Sequence, residues 1–367
     1  MNATFLAYID RLQAEVYRIP TDAPESDGTL HWDHTDLIVV HVFAAETTGL
    51  GWTYAAPAAQ AIILDTLRPA VLNRSAFSIE GNWREMGERL RNIGKGGVGM
   101  MAISAVDVAL WDLKAKLLGV SLVDLFGPVR DAVAVYGSGG FTSYSEKQLA
   151  EQLGGWAAGG IERVKMKVGR HAAADLSRVR AARKAIGEKT ELFVDANGAY
   201  TRKQALTMAE RFAGECGVHW FEEPRPSDDL EGLHLLRDRG PGGMDIAAGE
   251  YGDTIGYFRD MLQAGAVDCL QADVTRCGGY TGFLKVAALC DAFGMPLSAH
   301  CAPQLHAHVG CAAEAVRHVE YFHDHNRIDR MLFDGGLDPV HGSLCPDRAR
   351  PGHGMTFKEA DSKQFRL

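Results

Sequence analysis

The chain has 367 residues, 46% of them hydrophobic, with a formal charge of −9 and seven cysteines. That length suits two domains, one of them large, and the apolar share is that of an ordinary folded protein. The acidic balance without a Lys/Arg run argues against a nucleic-acid partner. No stretch is apolar and long enough to span a bilayer, and no secretory pattern opens the chain, so neither a membrane partner nor export is expected.

Residues 4–20 alternate apolar and polar side chains, and residues 19–36 (IPTDAPESDGTLHWDHTD) read as an irregular exposed loop, because Pro20, Pro24 and Gly28 punctuate it. A strand-like run, LIVVHVFA, follows at 37–44, then GLGWTYA at 49–55. Helical patterns dominate from about 57 to 118. The clearest places Ile103, Val106, Leu110, Leu113 and Leu117 on one stripe, with Gly119 as its C-cap. The glycine-rich GGVGMMAIS before it lacks the βαβ setting of a dinucleotide site and reads as a flexible loop. Residues 1–125 are thus expected to form an α+β capping domain.

From about residue 132 short apolar runs alternate with helical patterns. The runs are VAVYGSGG, RVKMKVG, LFVDANG, WFEEP, DIAAGE, CLQADVTRCGG, PLSAHC and HVEYFHDH. Eight such units predict a closed, parallel (β/α)-type barrel over residues 126–333. Ser145 with Gln148, and Thr201 with Gln204, read as capping boxes opening two of its helices. Leu176, Val179 and Ile186 give the helix after the second strand its apolar face. Ile255, Phe258 and Leu262 do so for the helix after the fifth, which Gly265 can end. Residues 334–367 carry turn signals and a strand-like MTFK, and are expected to return to the cap.

Polar residues cluster at the C-terminal ends of these strands, where barrel active sites are assembled. Lys165 and Lys167 end the second strand, with Met166 between them turned toward the helices. Asp195 ends the third, Glu222 the fourth and Glu250 the fifth. Three converging carboxylates repel one another without a cation, and hard oxygen donors suit Mg²⁺. Glu223 alternates away from Glu222, toward the metal surroundings or an outer lysine. Lys167, inside a barrel near a metal and a second lysine, is a candidate base with its pKa drawn down. Lys165 would neutralise a substrate carboxylate. His300 ends the seventh strand, and Asp273, one strand earlier, can fix its tautomer. A cation and a lysine at a carboxylate, with acid/base groups on two sides of the α-carbon, suit proton abstraction to an enediolate. The enolase superfamily is a known instance of this design.

With KMK at 165–167, DAN at 195–197, EEP at 222–224, GE at 249–250, DVTRCGG at 273–279 and SAH at 298–300, the sequence resembles the mandelate racemase subgroup of the enolase superfamily. The resemblance covers essentially the whole barrel. It implies a modified (β/α)7β TIM barrel under an α+β cap. It further implies one Mg²⁺ on Asp195, Glu222 and Glu250, Lys167 and the His300–Asp273 dyad as the two acid/bases, and Lys165 on the substrate carboxylate. Glu320 is the nearest match to a glutamate that contacts that carboxylate in the family. Asn197 would support the metal. Dehydration of an acid sugar is the expected reaction, with racemisation, epimerisation or cycloisomerisation on the same intermediate as alternatives. A catalytically silent anion-binding barrel is the alternative of another class. The two cap loops and the eighth strand end would set specificity, with His31, Trp52, Tyr54 and His323 as candidate substrate contacts beside Trp32, His34 and His325. A small polyhydroxylated carboxylate is the expected partner, and a homo-oligomer the expected assembly. The seven scattered cysteines lack a CxxC pair, and Cys269, Cys277, Cys290, Cys301 and Cys311 sit in apolar runs. They read as reduced core residues in a cytoplasmic protein, without a zinc site.

Overall fold

The computed structural model describes residues 7–367; residues 4–6 of the alternating N-terminal run lie outside them. Three antiparallel strands, β1 (Arg11–Ser26), β2 (His31–Ala44) and β3 (Thr47–Tyr54), form the cap sheet. Residues 19–36 are not the loop that their prolines and glycine signal. β1 runs through Pro20 and Pro24, and β2 begins at His31, so the turn shrinks to the four residues between them. The prolines are tolerated because β1 is an edge strand and the pairing register shifts between Pro20 and Glu25. The hairpin tip is held by the barrel: Thr142 N donates to Ser26 O at 2.8 Å, and Ser143 Oγ to Pro24 O at 2.6 Å.

GLGWTY is likewise strand. Gly49 and Gly51 in β3 let the helix Val98–Leu118 press on the sheet, since a Cβ on Gly51 would lie 2.3 Å from the Ala105 carbonyl oxygen. This helix is buried on most of its circumference rather than along one stripe, because the sheet covers one side and the barrel another. Gly119 ends it at φ 68°, the left-handed cap read from the sequence. The helix starts at Val98, so GGVGMMAIS is mostly helical. Its leading Gly97 is tied by its backbone N–H to Asp253 Oδ2 at 2.6 Å.

Eight parallel strands follow, each beginning one expected βα unit. They are β4 (Val133–Gly139), β5 (Arg163–Lys167), β6 (Glu191–Asp195), β7 (Val218–Glu222), β8 (Asp245–Ala248), β9 (Cys269–Ala272), β10 (Leu297–Ala299) and β11 (Val316–Phe322). β11 pairs with β4 and closes the barrel. Both capping boxes are formed, at Ser145 and Thr201. Leu176, Val179, Ile186, Phe258 and Leu262 are buried, whereas Ile255, at the first turn of its helix, is exposed. Between sheet and helices, Val164 and Met166 join the outer core, leaving Lys165 and Lys167 to the interior. A second, inner cluster of Tyr136, Phe193 and Trp220 floors the barrel, with the last two rings stacked at 5.1 Å.

The C-terminal residues return to the cap. Thr356–Phe357 pairs with Phe333–Asp334, His353 Nε2 lies 2.8 Å from Leu50 O, and Leu367 N donates to Val16 O. Among the described residues no helix is long and apolar enough to cross a membrane.

Candidate active site

Strand register assembles the first row of the site. Lys167 pairs with Asp195 across β5 and β6, and Asp195 with Glu222 across β6 and β7. Glu250 follows two residues after β8, and one carboxylate oxygen each of Asp195, Glu222 and Glu250 lies within 4.8 Å of the others. All three acids are buried. Lys165 Nζ is enclosed by carboxylates: it bonds Glu222 Oε1, lies 2.8 Å from Glu320 Oε1, and lies 3.5 Å from Asp195 Oδ2. Lys167 Nζ lies 2.5 Å from Asp195 Oδ2. Three strands away round the closed sheet, His300 Nδ1 lies 2.8 Å from Asp273 Oδ2, and His300 Nε2 3.2 Å from Glu250 Oε2. Asp273 is itself fixed, its Oδ1 accepting from the Thr275 backbone N–H and hydroxyl at 2.7 and 2.8 Å.

Burial, the largest single influence, would lower the Lys167 ammonium, but the surrounding carboxylates, Asp195 foremost with Glu250 and Glu222, together outweigh it, and the pKa is raised. Lys165 is raised too, with Glu222 and Glu320 overcoming its burial. The lysine pair is therefore charged while Asp195 faces it unshared. Glu222 is pushed well up by burial and by Asp195, whereas Asp273 is held low against its burial by the hydrogen bond and charge of His300. Crowded carboxylates with one member driven toward its neutral form are what a site for a divalent cation looks like without that charge. Asn197 Oδ1 is buried and accepts no hydrogen bond, Glu250 Oε2 has only the His300 ring nitrogen 3.2 Å away, and the ligand atoms are all hard oxygens from three strands. The residues fit a magnesium-type ion.

Strain marks the same rim. Asn197, Glu223, Cys301 and Ala302 all have φ between 39° and 50°, unusual for residues with a side chain. Glu223 has no outer lysine partner: it is buried, its Oε1 accepts no hydrogen bond, and burial together with Glu250 raises its pKa.

A cavity of about 400 Å³ opens over these groups, between barrel and cap. Lys167, Glu250, His300 and Glu320 reach its wall, as do Asn197 and Tyr54. Glu320 lies within β11 rather than after it. Its second oxygen accepts from Cys301 N at 3.0 Å. Tyr54 stacks on His325 with ring centroids 3.4 Å apart and donates to Asp329 at 2.9 Å. Three proposed contacts lie elsewhere. Trp52 sits two residues deeper in β3, fully buried against Phe333 at 4.5 Å under the returning C-terminus. His31, at the solvent end of β2, is exposed and outside the wall. His323 turns into a neighbouring groove, 3.0 Å from Asp22.

Among the wall residues that the sequence reading did not assign to the site are Arg276 and Cys301. Arg276, inside the DVTRCGG motif, lies 3.8 Å from both Glu250 and Asp273. Its place one turn beyond Asp273 was the available signal. Cys301 packs in a buried cluster with Phe141, Tyr144 and Phe322, as expected of a core thiol, and also lines the cavity, with Sγ 3.2 Å from His300 Nε2. All seven cysteines are free.

Comparisons with known proteins point one way. Residues 148–361 match the family model described as enolase C-terminal domain-like, and residues 21–127 match the mandelate racemase/muconate lactonizing enzyme N-terminal domain. The 3,6-anhydro-alpha-L-galactonate cycloisomerase of Streptomyces coelicolor is 37% identical over 95% of this chain and 97% of its own. A mandelate racemase/muconate lactonizing enzyme-like protein from Rubrobacter xylanophilus superposes with a TM-score of 0.96 at 54% identity, covering 98% of this chain and 100% of its own. The L-talarate/galactarate dehydratase of Salmonella typhimurium, liganded with Mg and L-lyxarohydroxamate, superposes at 0.90 with 27% identity, over 100% of this chain and 95% of its own.

Proposed function

Because the chain belongs to the mandelate racemase subgroup of the enolase superfamily, we propose that it is a Mg²⁺-dependent enzyme that takes the C2 proton of an acid sugar and expels the oxygen on C3. The observation that carries this reading is the meeting of three buried carboxylates, two lysines and the His300–Asp273 pair at one cavity.

Asp195, Glu222 and Glu250 would hold the cation. Bound there, it supplies positive charge to the substrate carboxylate and occupies the Asp195 charge that otherwise keeps Lys167 protonated. Lys165 adds a second positive charge as the carboxylate oxygens gain electron density. Lys167 removes the proton from C2. The electron pair of the C2–H bond then forms the C2=C3 bond, and the C3–O bond breaks. His300 Nε2 gives its proton to the departing oxygen, while Asp273 holds the other ring nitrogen and stabilises the charged ring. The enol relaxes to a 2-keto-3-deoxy acid. If the departing oxygen is a hydroxyl, water is lost and the enzyme is a dehydratase. If it is a ring ether of the same molecule, the ring opens and nothing is lost. The full-length match to a cycloisomerase favours this second form alongside the first.

We take the enzyme to act in the cytoplasm as a homo-oligomer; seven free thiols suit a reducing compartment. The test is a panel of aldonic and anhydro-aldonic acids with Mg²⁺, with semicarbazide trapping of 2-keto products. A keto acid that disappears on chelation of the metal is expected. No keto acid from any member would overturn the elimination.

A further inference from the structure

The charges around the cavity discriminate among acid sugars, an argument that rests on the elimination reading above. The barrel side holds the cations of the wall. Lys167 faces Asp195, and Arg276 lies within 3.8 Å of Glu250 and Asp273. These belong to the end where the reacting carboxylate sits. The cap side, among the described residues, offers no free cation. Its charged members are Asp27, at the tip of the β1–β2 hairpin, and Asp36, in β2.

The nearest arginines are already committed. Arg18 grips Asp36 with two hydrogen bonds of 2.8 and 2.9 Å. Arg327 holds Asp324, with one bond of 2.6 Å, and donates to the Pro20 carbonyl. His34 Nδ1 sits 2.6 Å from Asp33. His325, beneath Tyr54, is pushed down to about 3 by burial and is uncharged at neutral pH.

We infer that the enzyme takes sugar acids with a single carboxylate and rejects the dicarboxylates of the same carbon skeleton. A hydroxyl at the remote end can donate to a carboxylate such as Asp36, which sugar recognition exploits. A second carboxylate there would lose its water beside Asp27 and an Asp36 whose one cation, Arg18, is already engaged, and would gain no free cation. Like-charge juxtaposition costs several kcal/mol, so a preference of roughly 100-fold or more follows. The repulsive element is what makes the discrimination.

The experiment pairs six-carbon aldonates, open-chain and anhydro, with aldarates of the same configuration. It uses the whole enzyme with Mg²⁺ and reads both 2-keto product and exchange of the C2 hydrogen in D₂O. At least one monoacid is expected to react, with kcat/KM about 100-fold or more above its diacid. Asp36→Asn removes one charge and frees Arg18, and is expected to narrow that ratio about tenfold. A diacid reacting within tenfold of its monoacid, or better, would overturn the inference while leaving the elimination standing. Exchange and product from neither class would overturn the elimination itself, and the inference with it. Should the variant fail to fold, the wild-type ratio alone decides.

Discussion

Replacing Asp273 by Asn separates the two proton transfers. Asp273 is fully buried, with one oxygen 2.8 Å from His300 Nδ1 and the other bound to Thr275. The substitution keeps the shape and removes the charge. A hydrogen bond to a charged group contributes about 1.5–3 kcal/mol net, so elimination should slow by roughly 10- to 150-fold. Lys167 is anchored on another strand, against Asp195. Exchange of the C2 hydrogen with solvent should therefore fall less than about threefold, because that step does not use the dyad. The assay follows keto-acid formation and deuterium uptake at C2 in one D₂O reaction, by mass spectrometry. If exchange falls in parallel with elimination, His300 rather than Lys167 serves the C2 proton, and the division of roles given above is refuted.

Further outcomes follow from other contacts. Glu222→Gln removes a carboxylate that burial and Asp195 already push toward its neutral form. The metal-free protein should keep its melting temperature within about 2 °C, while the rise on adding Mg²⁺ largely disappears in calorimetry; an unchanged Mg²⁺ response would remove Glu222 from the metal site. A Cβ on Gly28 would lie 2.3 Å from Ala196 O and 2.8 Å from Val168 O. Gly28→Ala should therefore lift the cap hairpin off the barrel rim and raise KM by about tenfold, with overpacking costing about 1–3 kcal/mol; steady-state kinetics with an unaltered KM would contradict that docking. His308 is buried and held down to about 3 by burial and by His353, against 6.5 in the open chain. The unfolded state then binds the extra proton between pH 3 and 6.5, so the stability contribution is present above 6.5 and lost on acidification. His308→Asn should flatten urea-derived stability against pH in that window by up to about 1.4 kcal/mol per unit, and an unaltered slope would oppose it.

The barrel was legible because each strand is a short apolar run ending in a polar residue, and the polar ends of β5 to β10 carry the chemistry. Period-two alternation sufficed to turn Lys165 and Lys167 inward. What escaped the reading depends on contacts distant in sequence. Pro20, Pro24 and Gly28 signal a loop locally, yet the barrel rim around Thr142 and Ala196 holds the segment as an extended hairpin. Trp52 and Tyr54 lie two residues apart on one strand, but only the covering C-terminus decides which is buried. Cys301 packs in the core as its small, apolar neighbours suggest, but its added place at the cavity goes with a left-handed backbone, at φ 50°, that leaves no mark in composition. The direction of the Lys167 pKa could not be read from burial alone, because several carboxylates act together against it, Asp195 at 2.5 Å foremost.

The most direct measurement is the fate of the C2 hydrogen with Lys167→Ala, on a sugar acid that the wild type converts, at saturating Mg²⁺. Loss of both C2 exchange and keto-acid formation by about 1,000-fold or more is expected, with Mn²⁺ affinity by electron paramagnetic resonance held within about threefold of wild type. Keto-acid formation within tenfold of wild type, with the metal bound, would contradict Lys167 as the group that takes the proton.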